Sequence, residues 1–241
     1  MNMKEAVTVY IADISSLLEP EEYSRVKSLV PEARRAKADA VKFAVGRARS
    51  LGAGLVLHEA CRRSGLEGAD EHMCYGEHGK PDFDQHRLRS TGLGEMHFSL
   101  SHSGHRVMCG ISQVQIGCDV EIVKKRDMKI AGRFFAEAEY ADIMAQNDDR
   151  IRLERFFRYW TIKESFIKCD GRGLSMPLSS FRIVMDEDGS IELDTGEKKG
   201  EYSFFSPDIE DGYSYACCVK QTDAEVRHEF INISRIRNSS P

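Results

Sequence analysis

Seven residues in the middle of the chain, Ile116-Gly117-Cys118-Asp119-Val120-Glu121-Ile122, restrict its fold more than any other stretch. Apolar or small side chains at 116, 118, 120 and 122 alternate with a glycine and two acids, which is the two-residue period of a β-strand. One face of that strand belongs in a core. The other carries Asp119 and Glu121, about 7 Å apart along the strand, with Gly117 adding no bulk beside them. Carboxylates aimed into the same space repel. They are tolerated where water surrounds them or where a cation sits between them. Taken alone, the pair fits a half-exposed edge strand as readily as a metal site.

A second element narrows the choice. The run from Arg155 to Lys168 reads as helix, and residues four apart stack on one helical face, which aligns Trp160, Glu164 and Lys168. Phe156, Phe157, Ile162, Phe166 and Ile167 are left to fill the buried sides. A surface Glu–Lys pair at this spacing is common and contributes only about 0.2–0.5 kcal/mol. Beside two strand carboxylates the same pair offers more. Magnesium takes hard oxygen ligands, and a lysine balances the charge of phosphate oxygens.

Around this centre the chain reads as two mixed halves. Val7 to Ala12 predicts an opening strand, residues 15–30 a polar helical stretch, and residues 31–63 strong helix. Residues 64–96, rich in Gly, His and charge, read mostly as loop with room for short strands. A strand over 96–100 then ends in a polar turn, Ser101 to Gly104, and the runs 107–112 and 114–123 form a hairpin near Ser112-Gln113. Helices follow over 131–145 and 150–169, the second stopped by Gly171. Strands over 181–185, 191–193, 202–205 and 213–220 come next, with Asp188-Gly189 as a hairpin turn. The polar tail from Arg235 is expected to fray. The fold class is therefore α+β, with one lobe over 1–115 and a second, carrying the candidate metal-site carboxylates, over 116–241.

Composition excludes several roles. With 241 residues and a net charge of −5, the chain lacks the basic surplus of a nucleic-acid binder, so local clusters must carry any phosphate recognition. One such cluster is dense: Arg34, Arg35, Lys37, Lys42, Arg47 and Arg49. The cysteines number seven and form no Cys-x-x-Cys pair, which argues against a disulfide framework or a zinc ribbon. No run approaches the ~20 apolar residues of a membrane span, and residues 1–10 lack the apolar block of a signal peptide. A reducing cytoplasm and no membrane are the expectation.

At this point the residues resemble a family, the Sfp-type 4′-phosphopantetheinyl transferases, along nearly the whole chain. The elements that carry the resemblance stand in order: Gly79-Lys80-Pro81, Phe98 to Gly104, Gly117 to Glu121, and Trp160 to Lys168. Arg133-Phe134-Phe135, Glu139-Tyr140, Gly171 to Leu174 and Pro177-Leu178 add to it. The resemblance implies two similar lobes related by a pseudo-twofold axis, with coenzyme A in the cleft between them. It also implies transfer of the phosphopantetheine arm to a serine of an apo acyl or peptidyl carrier protein, with release of adenosine 3′,5′-bisphosphate. Position by position, it implies Asp119, Glu121 and Glu164 as Mg2+ ligands and Lys168 beside the transferred phosphate. Glu164 is also implied as a candidate base for the carrier serine. Lys80, Ser101 and His102 become coenzyme contacts, and Arg34, Lys37, Arg49 and Ser50 the contacts to the 3′-phosphate. A monomer is expected, since two fused lobes supply the whole cleft.

The chain departs from the family pattern at Ser99, where Asn is usual, and at Cys118, where an aliphatic residue is usual. Lys124-Lys125-Arg126 either steers an acidic carrier or forms a solvated loop. Two other readings stay open on the sequence: a different magnesium-dependent transferase, against which stands the lack of a Gly-x-x-x-x-Gly-Lys-Ser/Thr loop, and a non-catalytic binding module on the same scaffold.

Overall fold

Residues 6–186, 188–195 and 201–237 are described by a computed structural model of the chain. Along them run β1 (Ala6–Asp13), α1 (Pro20–Lys27), α2 (Glu32–Asp39), α3 (Ala44–Arg63), β2 (Met73–Tyr75), β3 (Pro81–Phe83), α4 (Gln85–Ser90), β4 (His97–Ser103), β5 (Arg106–Ser112) and β6 (Ile116–Ile122). Then come α5 (Ala131–Phe134), α6 (Glu137–Ala145), α7 (Asp149–Asp170), β7 (Arg182–Met185), β8 (Ile191–Asp194), β9 (Ser203–Phe205), β10 (Tyr213–Val219) and β11 (Glu225–Ile231).

Side-chain alternation along the central strands sets the architecture. One sheet has the order β11-β1-β5-β4, the other β6-β10-β9. Val7, Val9 and Ile11 of β1, Met108 of β5, Ile116, Cys118 and Val120 of β6, and Tyr215, Cys217 and Val219 of β10 are buried together between the sheets. The opposite faces take a helix each. Tyr10, Ala12, Cys109 and Ile111 pack with Ala48, Leu51 and Leu55 of α3, while Ala216 and Cys218 pack with Phe166 and Cys169 of α7. The layers are therefore α3, sheet, sheet, α7, an α+β fold in which each lobe sets one long helix against one sheet.

Helix α7 carries two of the candidate site residues, and local chemistry fixes both of its ends. The Asp148 carboxylate accepts from the Arg150 and Ile151 amides at the start, and Gly171, at φ +89°, closes the end in the left-handed region. The helix crosses β6 at Gly117. A Cβ there would stand 1.9 Å from the Ser165 carbonyl oxygen and 2.5 Å from the Cys169 nitrogen. The missing side chain lets helix backbone rest on strand backbone, which brings Glu164 and Lys168 over Asp119 and Glu121.

Several sequence expectations need correction. β5 and β6 form no hairpin: β5 is flanked by β1 and β4 on its two edges, so β6 stacks on its face and pairs with β10. The proposed polar turn at 101–104 is mostly strand, since β4 runs on to Ser103. The helix expected over 31–63 breaks at 40–43, where Arg47 donates to the carbonyls of Val41 and Lys42. The one over 131–145 breaks at Phe135-Ala136, where Glu139 accepts from the Ala136 amide at 2.8 Å. The lobe boundaries also change at one end. β11 leaves the second half and pairs in parallel with β1, and Ile231, Ile233 and Ile236 join the first lobe's core. Of the tail expected to fray, residues 238–241 lie outside the described residues.

Candidate active site

The three strand serines of β4 bind the two lobes together at the site. Ser99 Oγ accepts from the Cys118 amide at 2.9 Å. Ser101 Oγ donates to Asp119 Oδ1 at 2.8 Å. Ser103 Oγ donates to Glu121 Oε2 at 2.6 Å and accepts from the Ile122 amide at 3.2 Å. These hydroxyls stand where a neighbouring strand's backbone would pair with β6, and they hold both acids in place. The departure at Ser99 is thus a working contact.

From α7, Lys168 Nζ donates to Asp119 Oδ1 at 2.6 Å, to the Cys118 carbonyl at 3.0 Å and to Ser101 Oγ at 3.2 Å. Burial works against the lysine's charge, but Asp119 and then Glu164 outweigh it and raise its pKa. Glu164 is pushed up to about 7, by burial first and then by the charge of Asp119. Glu121 is also raised, mainly by burial, with the Ser103 hydrogen bond pulling the other way. The second oxygen of Asp119 is buried and has no hydrogen-bond partner among the described residues.

An all-oxygen donor set with a carboxylate oxygen left unsatisfied fits a hard divalent cation. Asp119, Glu121 and Glu164 are the residues that could hold it. Among the described residues no three His, Cys, Asp or Glu groups already form a closed cage, and Lys168 neutralises Asp119 instead.

These groups border a cavity of about 620 Å³. Its walls bring together Arg34, Lys37, Arg49, Ser50, Ser101, His102, Asp119, Glu121, Glu164 and Lys168. Lys80 lines an adjoining cavity of about 290 Å³, which shares Leu100, Pro81, Glu164 and Lys168 with the first. Of the basic cluster, Arg34, Lys37 and Arg49 border these adjoining cavities with Ser50, Lys80, Ser101, His102, Asp119, Glu121, Glu164 and Lys168, whereas Arg35, Lys42 and Arg47 do not line them. Arg34, only 7% exposed, is notable within the cleft. Its Nη2 meets the Met73 sulfur, its Nε has no partner, and among the described residues no carboxylate pairs with it. Arg49 donates to the Gly104 carbonyl at 2.9 Å. Burial lowers the pKa of His102, which favours the neutral ring.

A cleft with cations that have no carboxylate partner among the described residues along one wall, and crowded carboxylates along the other, suits a phosphate-bearing ligand held beside a hard cation. Comparison with known proteins gives the particular family. A model described as the 4′-phosphopantetheinyl transferase superfamily matches residues 115–218. The 4′-phosphopantetheinyl transferase Sfp of Bacillus subtilis is 32% identical over 207 residues, covering 86% of this chain and 89% of that protein. The 4′-phosphopantetheinyl transferase ffp of Bacillus subtilis is 33% identical over the same shares of both chains. A holo-(acyl-carrier-protein) synthase of Bacillus anthracis, solved in complex with CoA (3′,5′-ADP), superposes at TM-score 0.40 with 19% identity, covering 46% of this chain and 97% of that one. The chain belongs to the Sfp-type 4′-phosphopantetheinyl transferases.

Sequence reasoning missed several residues. Ser103 could have been found by counting the two-residue period onward from Ser99 and Ser101. Glu139 and Lys163 form a buried ion pair at 2.6 Å; Lys163 also donates to the Phe181 carbonyl and Glu139 accepts from the Ile183 amide. Nothing in the spacing of residues 139 and 163 announces that contact. Burial, despite Glu139, brings the Lys163 pKa down to about 8. The pair holds α6, α7 and β7 together and faces away from the cleft.

Proposed function

We propose that this enzyme takes coenzyme A as donor and transfers its 4′-phosphopantetheine group to a serine hydroxyl of an apo acyl or peptidyl carrier protein. Adenosine 3′,5′-bisphosphate is the leaving product, and Mg2+ is required. One observation carries the reading: Asp119, Glu121, Glu164 and Lys168 border the same cleft as the unpaired Arg34. A diphosphate with a separate 3′-phosphate needs that combination, a cation-binding wall for one group and a buried arginine for the other.

Arg34, Lys37, Arg49 and Ser50 would bind the 3′-phosphate. His102 and Ser101 would lie along the ligand, and Lys80 and Lys168 would flank the diphosphate. Asp119, Glu121 and Glu164 would hold Mg2+, which when bound supplies charge to the diphosphate oxygens and polarises the reacting phosphorus. With its raised pKa, Lys168 stays protonated at neutral pH and stabilises the phosphate oxygens. Glu164, directly or through a water, accepts the serine proton as the serine oxygen bonds to phosphorus; metal bound to it would lower its basicity below that of the metal-free group. The bond from that phosphorus to the bridging oxygen breaks, and the electron pair leaves with the bisphosphate. Lys124 and Lys125, exposed at the end of β6, would steer an acidic carrier toward the cleft. Monomeric state and cytoplasmic location belong to the same proposal; among the described residues no helix is long and apolar enough to cross a membrane.

Mass spectrometry of apo carrier proteins incubated with the enzyme, CoA and Mg2+ tests the reading. We expect one phosphopantetheine added per carrier, lost when Mg2+ is chelated. Failure across fatty-acid, polyketide and peptide carriers, with the enzyme folded, would sink it.

A further inference from the structure

The two lysines of the cleft are held in opposite ways, and the difference singles out Gln115. Lys168 is ion-paired with Asp119. Lys80 Nζ instead meets two neutral acceptors, the Gln115 side-chain oxygen at 3.3 Å and the Ile116 carbonyl at 3.0 Å. No carboxylate pairs with it among the described residues. An ammonium has three donors, so one remains for a ligand.

Gln115 is itself tightly held. Its carbonyl accepts from the Lys220 amide at 2.9 Å and from Cys169 Sγ at 3.1 Å, which fixes the crossover between the two sheets. Its amide nitrogen packs 3.1 Å and 3.3 Å from the two ring nitrogens of His97. That ring is clasped by Asp82 at 2.6 Å and Glu95 at 3.1 Å. A lysine can only donate, so the amide oxygen must be the atom turned toward Lys80.

We infer that Gln115 is a positioning residue, a neutral acceptor that aims Lys80 at the coenzyme phosphate carrying the pantetheine arm without discharging it. The inference rests on the coenzyme-binding role proposed for Lys80. A carboxylate in the same place would tie up the ammonium in an ion pair, whereas an amide orients it and leaves its charge for the phosphate. The location identifies which phosphate. Lys80 borders the smaller cavity with Glu164 and Lys168, whereas Arg34 borders only the larger one. Gln115 therefore serves the reacting end of the coenzyme.

The test is a calorimetric comparison of two ligands, CoA and adenosine 3′,5′-bisphosphate, which lacks the pantetheine-bearing phosphate. Both are titrated with Mg2+ into the wild type, Lys80→Ala, Gln115→Ala, Gln115→Glu and the Lys80→Ala/Gln115→Ala double variant. Gln115→Ala should weaken CoA about two- to tenfold and leave the bisphosphate within about twofold, a retained affinity that also shows the fold intact. Gln115→Glu, nearly the same shape, should weaken CoA more than alanine does. The double variant should bind CoA no more weakly than Lys80→Ala alone. Equal loss of both ligands in Gln115→Ala, or wild-type CoA affinity in Gln115→Glu, would overturn the inference. If Lys80→Ala weakens CoA while Gln115→Ala does not, the inference fails and the role of Lys80 stands. If Lys80→Ala leaves CoA affinity intact, that role fails and takes the inference with it.

Discussion

The two walls of the cleft carry the same kind of burden with opposite signs. On the first-lobe wall Arg34 is buried with no acid paired to it among the described residues, and Lys80 rests on neutral oxygens. On the second-lobe wall three carboxylates crowd together, one oxygen of Asp119 has no partner among the described residues, and Glu164 holds its proton up to about 7. Either arrangement alone is costly, because a buried charge without a counter-ion loses its hydration and gains little in return. Lys163 and Glu139, on the same helix system but outside the cleft, show what neutralisation looks like: contact at 2.6 Å, with both side chains essentially unexposed. Apart from the Lys168–Asp119 pair, the cleft keeps its charges apart, and the proposed ligands would supply the missing partners.

The largest effect should come from the acidic wall. Glu164→Gln should lower kcat about 10²–10⁴-fold, with CoA affinity changed far less, because the basic wall is untouched. Equal losses in single-turnover rate and in calorimetric affinity would show that the two walls do not divide the work.

Next comes the neutralised pair. Lys163→Met leaves Glu139 buried without its cation and should cost about 3–5 kcal/mol in denaturant unfolding. A cost near zero would mean the pair is not the structural counterpart of the cleft.

The basic wall should behave in the opposite way. Arg34→Met removes an unpaired buried charge, so the unliganded protein should melt about 2–4 °C higher. CoA binding should weaken about tenfold or more. Loss of both stability and affinity would break the comparison.

The smallest effect is graded by pH. Glu164 ionises at about 7 in the fold against an ordinary 4.5. Between those values the unfolded chain has released this proton and the folded, metal-free chain retains it. The group therefore withdraws stability as pH rises, and that loss is complete just above about pH 7. Metal binding must expel the same proton, so Mg2+ affinity should fall by up to about tenfold per pH unit below about 7. Calorimetric titrations that show a flat profile there would place Glu164 outside the metal site.

Much of the cleft was legible in the sequence because its groups lie on regular elements. Alternation in β6 put Asp119 and Glu121 on one face, and the four-residue spacing in α7 put Glu164 with Lys168. What escaped depends on three-dimensional crossing. Ser103 looked like part of a turn because a run of serine, histidine and glycine has turn chemistry; β5 pairing overrode it. The false hairpin at 112–113 came from judging two apolar runs by their nearness in sequence, with no sign that both edges of β5 were taken. β11 was invisible because most of its side chains are exposed, so it has little apolar alternation to read. Its place is fixed by backbone pairing with β1.

That last pairing has a consequence for biogenesis. During synthesis the amino-terminal strand emerges early, yet its outer edge stays bare until residue 231 has cleared the ribosome and come back to cover it. The first lobe cannot finish folding before the second has been made. Nascent chains stalled anywhere short of that point should carry an open strand edge, a natural target for chaperones.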